Sequence, residues 1–447
     1  MMSIDQLSSD DQRAVEALQS AIRIRTVSHR DPVQVDREAF DDFIELLQGR
    51  FPLLHQACTV TRLAGDALLL RWAGTGDADP VVLMAHIDVV PINPDDHWTH
   101  PPFDAVIDDG MIWGRGTLDC KGSLIALCVA AERLLAKGFT PSRDIWFSFG
   151  CDEEVAGPAA TAAVEELAGL GVSPWFVLDE GGAVALGGFP GVKRPLAVIG
   201  IAEKGLVDVQ LRTTDEGGHA STPARGGATA RLARAIVRLD RDPFPINLPD
   251  ATVQMLRTAA AHAPAPIRLA VTTAARSPKL LARLLQKLGP ETAAMTRTTD
   301  VVTQLSGAPG ANVIAANATA VVNVRVMVGE TVAAAVERIR RTVKDRSVEI
   351  SVISASEPSP VSPTDEAFEL LTEVIRQTIP DAVPVPYIVM AATDGRYFHR
   401  RWPRVYRFNP FRMTRQQRGT LHNVDERIGV SDFLEGVGWY TRLMESV

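Results

Sequence analysis

Cysteine is scarce in this chain: four in 447 residues, none in a Cys-x-x-Cys pair. That excludes a disulfide framework and makes a reducing cytoplasm the expected compartment. Long apolar runs are also missing. None approaches the roughly 18–20 residues needed to cross a bilayer, so no membrane partner is expected. The opening Met1-Met2-Ser3-Ile4-Asp5-Gln6 has neither the basic nor the apolar region of a secretory signal. A basic surplus is lacking as well: 46 basic against 54 acidic side chains leave −8, which argues against a nucleic-acid partner. What is there is an ordinary globular balance, 46% hydrophobic and 22% charged, at a length suggesting two or three domains of roughly 100–200 residues.

Up to about residue 200, short apolar runs alternate with helical patterns. Val15, Leu18 and Ile22 share one face of an opening amphipathic helix. Val81-Val82-Leu83-Met84-Ala85 has the unbroken apolar character of a strand covered on both faces. Leu124, Ile125, Leu127, Cys128, Ala131, Leu134 and Leu135 form a broad helical stripe closed by Gly138. Ile145-Trp146-Phe147-Ser148-Phe149 and Trp175-Phe176-Val177-Leu178 read as further strands. Strands separated by crossover helices predict an α/β domain with a mainly parallel sheet.

After Gly200 the order becomes strand (205–213), helix (227–239), two strands (300–305 and 319–328), helix (331–343) and strand (348–353). That β-α-β-β-α-β order predicts a small ferredoxin-like domain. Residues 243–298 interrupt it as a Pro- and Ala-rich insertion with a helical segment near 278–288, and residues 355–364 are a linker by composition. The α/β pattern then resumes with helices at 365–378 and 431–445. The expected organisation is a catalytic domain in two parts, 1–200 and 356–447, split by an inserted domain at 201–355.

Acidic and histidine residues gather where these strands end. His86 and Asp88 close the first strand, at a spacing that points both side chains the same way. Asp119 stands just before a helix, Asp152-Glu153-Glu154 follows the second strand, and Asp179-Glu180-Gly181-Gly182 follows the third. Carboxyl ends of strands are where open α/β sheets carry their ligand sites. His422, in Thr420-Leu421-His422-Asn423, offers a second imidazole from a loop. Two histidines among several carboxylates suit Zn²⁺ or a similar divalent ion, and carboxylates packed this densely repel without one. Glu153 and Glu154 cannot easily bind one ion together, so one ligand and one free general base is the natural division. Asp119 is the most plausible bridge between two metals roughly 3.5–4 Å apart. Any one of these motifs alone is more often a capping or solvated feature; recurrence at three strand ends raises the expectation.

Several of these segments are also long motifs. Met84-Ala85-His86-Ile87-Asp88-Val89-Val90-Pro91, Gly114-Arg115-Gly116 through Asp119-Cys120-Lys121-Gly122, Asp152-Glu153-Glu154-Val155-Ala156-Gly157 and Leu178-Asp179-Glu180-Gly181-Gly182 resemble the aminoacylase / carboxypeptidase S / glutamate carboxypeptidase family of di-zinc exopeptidases. The resemblance runs over nearly the whole chain, and Trp98 with Pro101-Pro102-Phe103 points to the carboxypeptidase S-like branch. It implies two Zn²⁺ per subunit, with Co²⁺ or Mn²⁺ as substitutes. His86 and His422 would each hold one zinc, Asp119 would bridge them, and Glu154 would serve the second site. Glu153 would be the general base and Asp88 would orient His86. The remaining ligand would come from Asp179 or Glu180, both being used in different branches, with Asp179 favoured. The inserted domain would be the family's lid and dimerisation domain, giving a homodimer. His219 of Gly217-Gly218-His219-Ala220-Ser221 would reach the partner's site to stabilise the oxyanion, while Asn312 and Arg325 would hold the substrate's carboxylate.

The implied activity is metal-assisted amide hydrolysis of short peptides or N-acyl amino acids, carboxypeptidase- or dipeptidase-like rather than strictly an N-acyl amino-acid deacylase. The rival readings are a non-catalytic, metal-stabilised binding protein and a cysteine hydrolase built on Cys120 or Cys151. Glu153 counts against the first, and the second lacks a histidine–acid partner. The sequence departs from the family pattern at Ala315, where proline is usual, and at Gly395, where serine or asparagine is usual. Cys120 and Cys151 are expected to pack as small apolar residues. His29, His55, His97, His100, His262 and His399 are expected to be structural or exposed, and the Arg-rich stretch 396–418 to be a solvated loop.

Overall fold

The computed structural model describes residues 6–189, 191–275 and 277–447. Its central sheet is built on the strand Val81–His86, all six residues of which are buried. A strand this apolar must be covered on both faces. From one edge the strands run Cys58–Arg62, Leu68–Trp72, Ile145–Gly150, Val81–His86, Phe176–Asp179, Val405–Arg407, Leu196–Glu203, Ala183–Ala185 and Arg412–Met413. Val383–Val389 pairs in parallel with Leu196–Glu203. The sheet is mixed but mainly parallel: Val81–His86 runs parallel to both its neighbours, and antiparallel pairs lie towards the edges. On one face the helix Lys121–Ala136 packs between Ser9–Arg23 and the closing helix Val430–Glu445. Lys121–Ala136 is apolar nearly all round, as its central position requires.

The second sheet runs Thr299–Ser306, Asn317–Val326, Gly205–Thr214, Glu349–Ser356, all antiparallel. In chain order this is 2-3-1-4, with the helices Ala228–Arg241 and Val332–Val343 on one face: the ferredoxin-like arrangement expected. Alternation makes this possible, since Val207, Val209 and Leu211 point into the core while their neighbours face outward.

Two expectations need correction. The 243–298 insertion carries four helices rather than one: Asp250–Ala261, Ala265–Ala274, Pro278–Leu288 and Pro290–Ala294. Pro249, Pro264, Pro266, Pro278 and Pro290 open these helices, lying at or just before the first turn, where the missing N–H costs nothing. Leu256, Val271, Leu281 and Leu285 pack with Val383 and Val385, so the insertion covers the strand Val383–Val389. Nor is 355–364 a loose linker. Ser359 N donates to Glu203 O at 3.1 Å, Glu203 N to Ser359 Oγ at 2.9 Å, and Ser362 N to Ile201 O at 2.8 Å. The two chain segments that join the sheets are thereby zipped together. No helix among the described residues is long and apolar enough to cross a membrane.

Candidate metal centre

Three adjacent strand ends deliver the cluster. Val81–His86, Ile145–Gly150 and Phe176–Asp179 are neighbours in the sheet, so His86, the turn Glu153–Val155 and Glu180 emerge along one rim. Asp119 arrives from the turn before Lys121–Ala136. His422 comes from a loop in which its backbone is left-handed, with φ of 56°. That conformation is uncommon outside glycine and is typically kept by its surroundings.

Asp119 stands at the middle. Its Oδ1 lies 3.0 Å from His86 Nε2 and its Oδ2 3.0 Å from His422 Nε2. His86 Nε2 is also 3.4 Å from Glu180 Oε1, and His422 Nε2 is 3.0 Å from Glu154 Oε2. His86 Nδ1 meets Asp88 O at 2.9 Å and Asp88 Oδ1 at 3.3 Å, which turns Nε2 towards the cluster. Asp88 also accepts from Glu153 N at 3.2 Å and from Glu154 N at 3.1 Å, so one buried carboxylate orients both a histidine and the acidic turn.

The charges are strongly interdependent. Burial alone would raise Asp119, but its contacts with His422 and His86 hold it below the usual carboxylate range. Burial pushes Glu153 well up, opposed by His86 and reinforced by Asp394, Glu180 and Glu154. Glu180 is pushed up to about 8 by burial and by Asp119. His422 is raised to about 10 by Asp119 and Glu154.

These residues fit a divalent cation. Two imidazole nitrogens face the two oxygens of one carboxylate, and Glu154 Oε1 is buried with no hydrogen-bond partner. His86, Asp119 and Glu154 can offer ligand atoms within 4.8 Å of one another, and so can His86, Cys120 and Glu180. Cys120 is fully buried and its thiol is pushed well up by burial, while burial raises Cys151 to about 12; both are neutral packing groups here.

Of the Asp179–Glu180 pair, Glu180 faces His86, whereas Asp179 Oδ2 accepts from Gly395 N at 2.6 Å. The glycine departure has a reason in this contact: a Cβ on Gly395 would lie 2.9 Å from the same oxygen. His219 and Asn312 come together on the second sheet's side of the molecule. His219 pairs with Val313, Ala220 N donates to Asn312 O at 3.1 Å, and His219 Nδ1 meets Ser221 Oγ at 2.7 Å. Arg325 lies on Asn317–Val326, opposite Leu206 and Thr299. Among the described residues no hydrogen bond or ion pair joins His219, Asn312 or Arg325 to the metal cluster.

Sequence reasoning missed Glu426. Fully buried, it accepts through Oε1 from the backbone N–H of Gly116 (3.1 Å), Leu118 (2.9 Å) and Asp119 (3.2 Å), and pairs through Oε2 with Arg115 at 2.7 Å. It ties the segment after His422 to the turn that presents Asp119. The only sequence signal was an acidic residue four places after His422. The Arg-rich stretch 396–418 is not a solvated loop throughout: Arg396 and Arg407 are buried, Arg407 pairing with Glu203 at 2.9 Å. Its partner is 204 residues away in the chain, which composition could not reveal.

Comparison with known proteins is consistent with this geometry. The description Peptidase family M20/M25/M40 matches residues 82–446. The chain is 34% identical over 444 residues to probable carboxypeptidase S-like 2 of Dictyostelium discoideum, covering 98% of this chain and 85% of the relative. It is 34% identical over 439 residues to the N-fatty-acyl-amino acid synthase/hydrolase of Xenopus tropicalis, covering 97% and 85%. The fold matches human carnosine dipeptidase 1 with a TM-score of 0.71 at 16% identity, covering 99% of this chain and 96% of the other.

Proposed function

The chain belongs to peptidase family M20/M25/M40, and from that premise we propose that it is a zinc-dependent hydrolase of short peptides or N-acyl amino acids. The observation that carries this reading is Asp119 standing between His86 and His422, with Glu153 beside Glu154 on the turn that Asp88 holds. We assign His86, Asp119 and Glu180 to one cation, and His422, Asp119 and Glu154 to a second. Asp179 serves instead by fixing the Gly395 turn. Bound zinc supplies Lewis acidity and lowers the pKa of water near it.

Glu153 is the general base. It takes a proton from the attacking water and returns it to the amine nitrogen as the amide C–N bond breaks, so that a carboxylic acid and an amine are the products. Burial raises its pKa, the direction that favours a carboxylate able to take a proton and give it back. Residues 1–200 and 356–447 form the catalytic unit in this reading, and 201–355 the lid. His219, exposed on the lid, donates to the oxyanion of a partner subunit in a homodimer. Arg325 and Asn312 hold the carboxylate of the amine-side product. The relatives' names support both a carboxypeptidase and an N-acyl amino-acid hydrolase; short peptides and N-acyl amino acids share the free carboxylate that this pair would bind. A reducing compartment such as the cytoplasm suits four unpaired, buried thiols.

The test is a hydrolysis screen of dipeptides and N-acyl amino acids on zinc-loaded protein, with chelator and readdition of zinc or cobalt. Activity should vanish in chelator and return with metal. Glu153→Gln should lower kcat by about 10²–10⁴-fold with zinc content unchanged; full activity in that variant would remove Glu153 from the mechanism.

A further inference from the structure

The insertion has a charge pattern unlike the rest of the chain. From residue 251 to 290 there is no aspartate or glutamate, although Asp and Glu together number 54 in the chain. The same stretch holds six basic residues, Arg257, Arg268, Arg276, Lys279, Arg283 and Lys287. In a protein of net charge −8, this concentrates the opposite sign in one segment. The helices fix which way it faces. Ile267, Val271 and Ala274 of Ala265–Ala274, with Leu281 and Leu285 of Pro278–Leu288, turn into the core shared with Val383 and Val385. The two helices also pack against each other. Their remaining faces therefore make one outward surface, on the side away from the strand they cover.

That surface is not purely polar. Leu269 is 69% exposed, more than any other leucine among the described residues, and Leu280 is 51% exposed. Leu280, Arg283 and Lys287 follow at spacings of three and four, so a leucine and two cations share one helix face. Arg268 stands beside Leu269 in the chain. Arg268, Lys279, Arg283 and Lys287 are all exposed, and among the described residues none of them makes an ion pair. Glu291, the first acid after the basic stretch, is taken by Arg415 at 3.6 Å. Solvation alone accounts for exposed cations. It does not account for leucines left in water among them, or for the missing acids that ordinarily intersperse with bases on a solvated face.

We propose that the outward face of residues 265–288 is a membrane-docking surface, which binds anionic phospholipid headgroups and lays Leu269 and Leu280 into the boundary between headgroups and acyl chains. Its cations are complementary to the lipid phosphates, and its leucines supply the apolar area that holds a protein at an interface. Long Lys and Arg stems keep their charges at headgroup level while the leucines go deeper. No spanning helix is needed, since such faces lie in the plane of the interface. A second copy of the chain would instead set two unpaired basic faces against each other about a two-fold axis. A nucleic acid would use the cations and leave the leucines in water, and residues 251–290 hold no Phe, Trp or Tyr on which bases could stack. Docking is independent of the hydrolase reading, because vesicle binding is measured without turnover.

The experiment is co-sedimentation of the full chain with vesicles of phosphatidylcholine alone and of phosphatidylcholine with an equal part of phosphatidylglycerol. The mixed vesicles should bind at least about 10-fold more tightly, and raising salt from about 0.1 M to about 0.5 M should weaken them. Arg283→Glu with Lys287→Glu should weaken that binding at least about 10-fold, and Leu269→Gln with Leu280→Gln about 10-fold. Arg283→Gln with Lys287→Gln serves where the charge reversal fails to fold. As a control, Arg234→Glu with Arg241→Glu on the helix Ala228–Arg241 changes net charge equally at exposed positions elsewhere, and should leave binding within about 2-fold. No preference for the anionic vesicles, unchanged binding in either insertion variant, or an equal loss in the control overturns the docking surface. A dimer in sedimentation velocity that Arg283→Glu with Lys287→Glu dissociates would give the face to a second copy and overturn it as well.

Discussion

Glu426 shows how much of a site can be built by a residue whose side chain meets its candidate ligands only through the backbone of Asp119. Its carboxylate gathers three backbone N–H groups around Asp119 while pairing with Arg115, although burial pushes its pKa up. Glu426→Gln keeps the shape and removes the charge. It should weaken zinc binding about 10-fold, read by competition with a chromophoric chelator; an unchanged affinity would show that the backbone alone fixes Asp119. At this scale the candidate metal cluster was legible because His86, Glu154 and Glu180 follow strand ends and Asp119 precedes a helix, all inside long motifs, while His422 is offered from a loop. Glu426 was not legible because it acts through backbone N–H groups, which any sequence supplies. Arg396 and Arg407 were misjudged as solvated because whether an arginine is buried depends on its surroundings in the fold. For Arg407 the answer lay in Glu203.

Titration at the same residues has a definite sign. Glu180 is raised from its ordinary 4.5 to about 8 by burial and Asp119, so the folded metal-free protein binds more protons there than the unfolded chain. His422 is raised from 6.5 to about 10 by Asp119 and Glu154, with the same consequence. The stability that these two groups contribute to the metal-free protein should therefore fall as pH rises, between about 4.5 and 8 for Glu180 and between about 6.5 and 10 for His422. Zinc displaces those protons, so its affinity should weaken as pH is lowered. Thermal melts from pH 5 to 9 with and without zinc check both statements. A metal-free midpoint whose pH dependence is the same in the Glu180→Gln and His422→Gln variants as in the wild-type protein would contradict the first.

Among the elements, the insertion's helices have a structural task. They cover Val383–Val389, which pairs only with Leu196–Glu203 among the described strands and would otherwise offer an open edge to another chain. The ferredoxin-like pattern was readable from alternation in strands such as Gly205–Thr214, where Val207, Val209 and Leu211 face inward between half-buried or exposed neighbours. The insertion was less so, because prolines that begin helices look like breakers when read without the fold. Leu256, 1% exposed where the insertion packs on Val383 and Val385, is a fair probe. Leu256→Ala should cost about 2–5 kcal/mol in urea unfolding, as for other large-to-small core changes. A change within 0.5 kcal/mol would mean that these helices are not cooperative with the sheet.

For the molecule as a whole, the two crossings between catalytic sheet and lid lie side by side. Glu203 N donates to Ser359 Oγ, Ser359 N donates to Glu203 O, and the same glutamate holds both Arg407 and the Thr393 turn. The lid's root and the wall of the cleft share one side chain. Modularity is what this arrangement takes away. A lid transplanted from a relative and spliced at the visible ends of its sheet, near Gly205 and Ser356, would arrive without the contacts that seat it. Junctions outside the zipped segment, before Ile201 and after Ser362, would carry the whole joint, with Arg407, Thr393, Val405 and the insertion's seat on Val383–Val389 still to be matched. The unit of exchange in this architecture is larger than the domain that meets the eye.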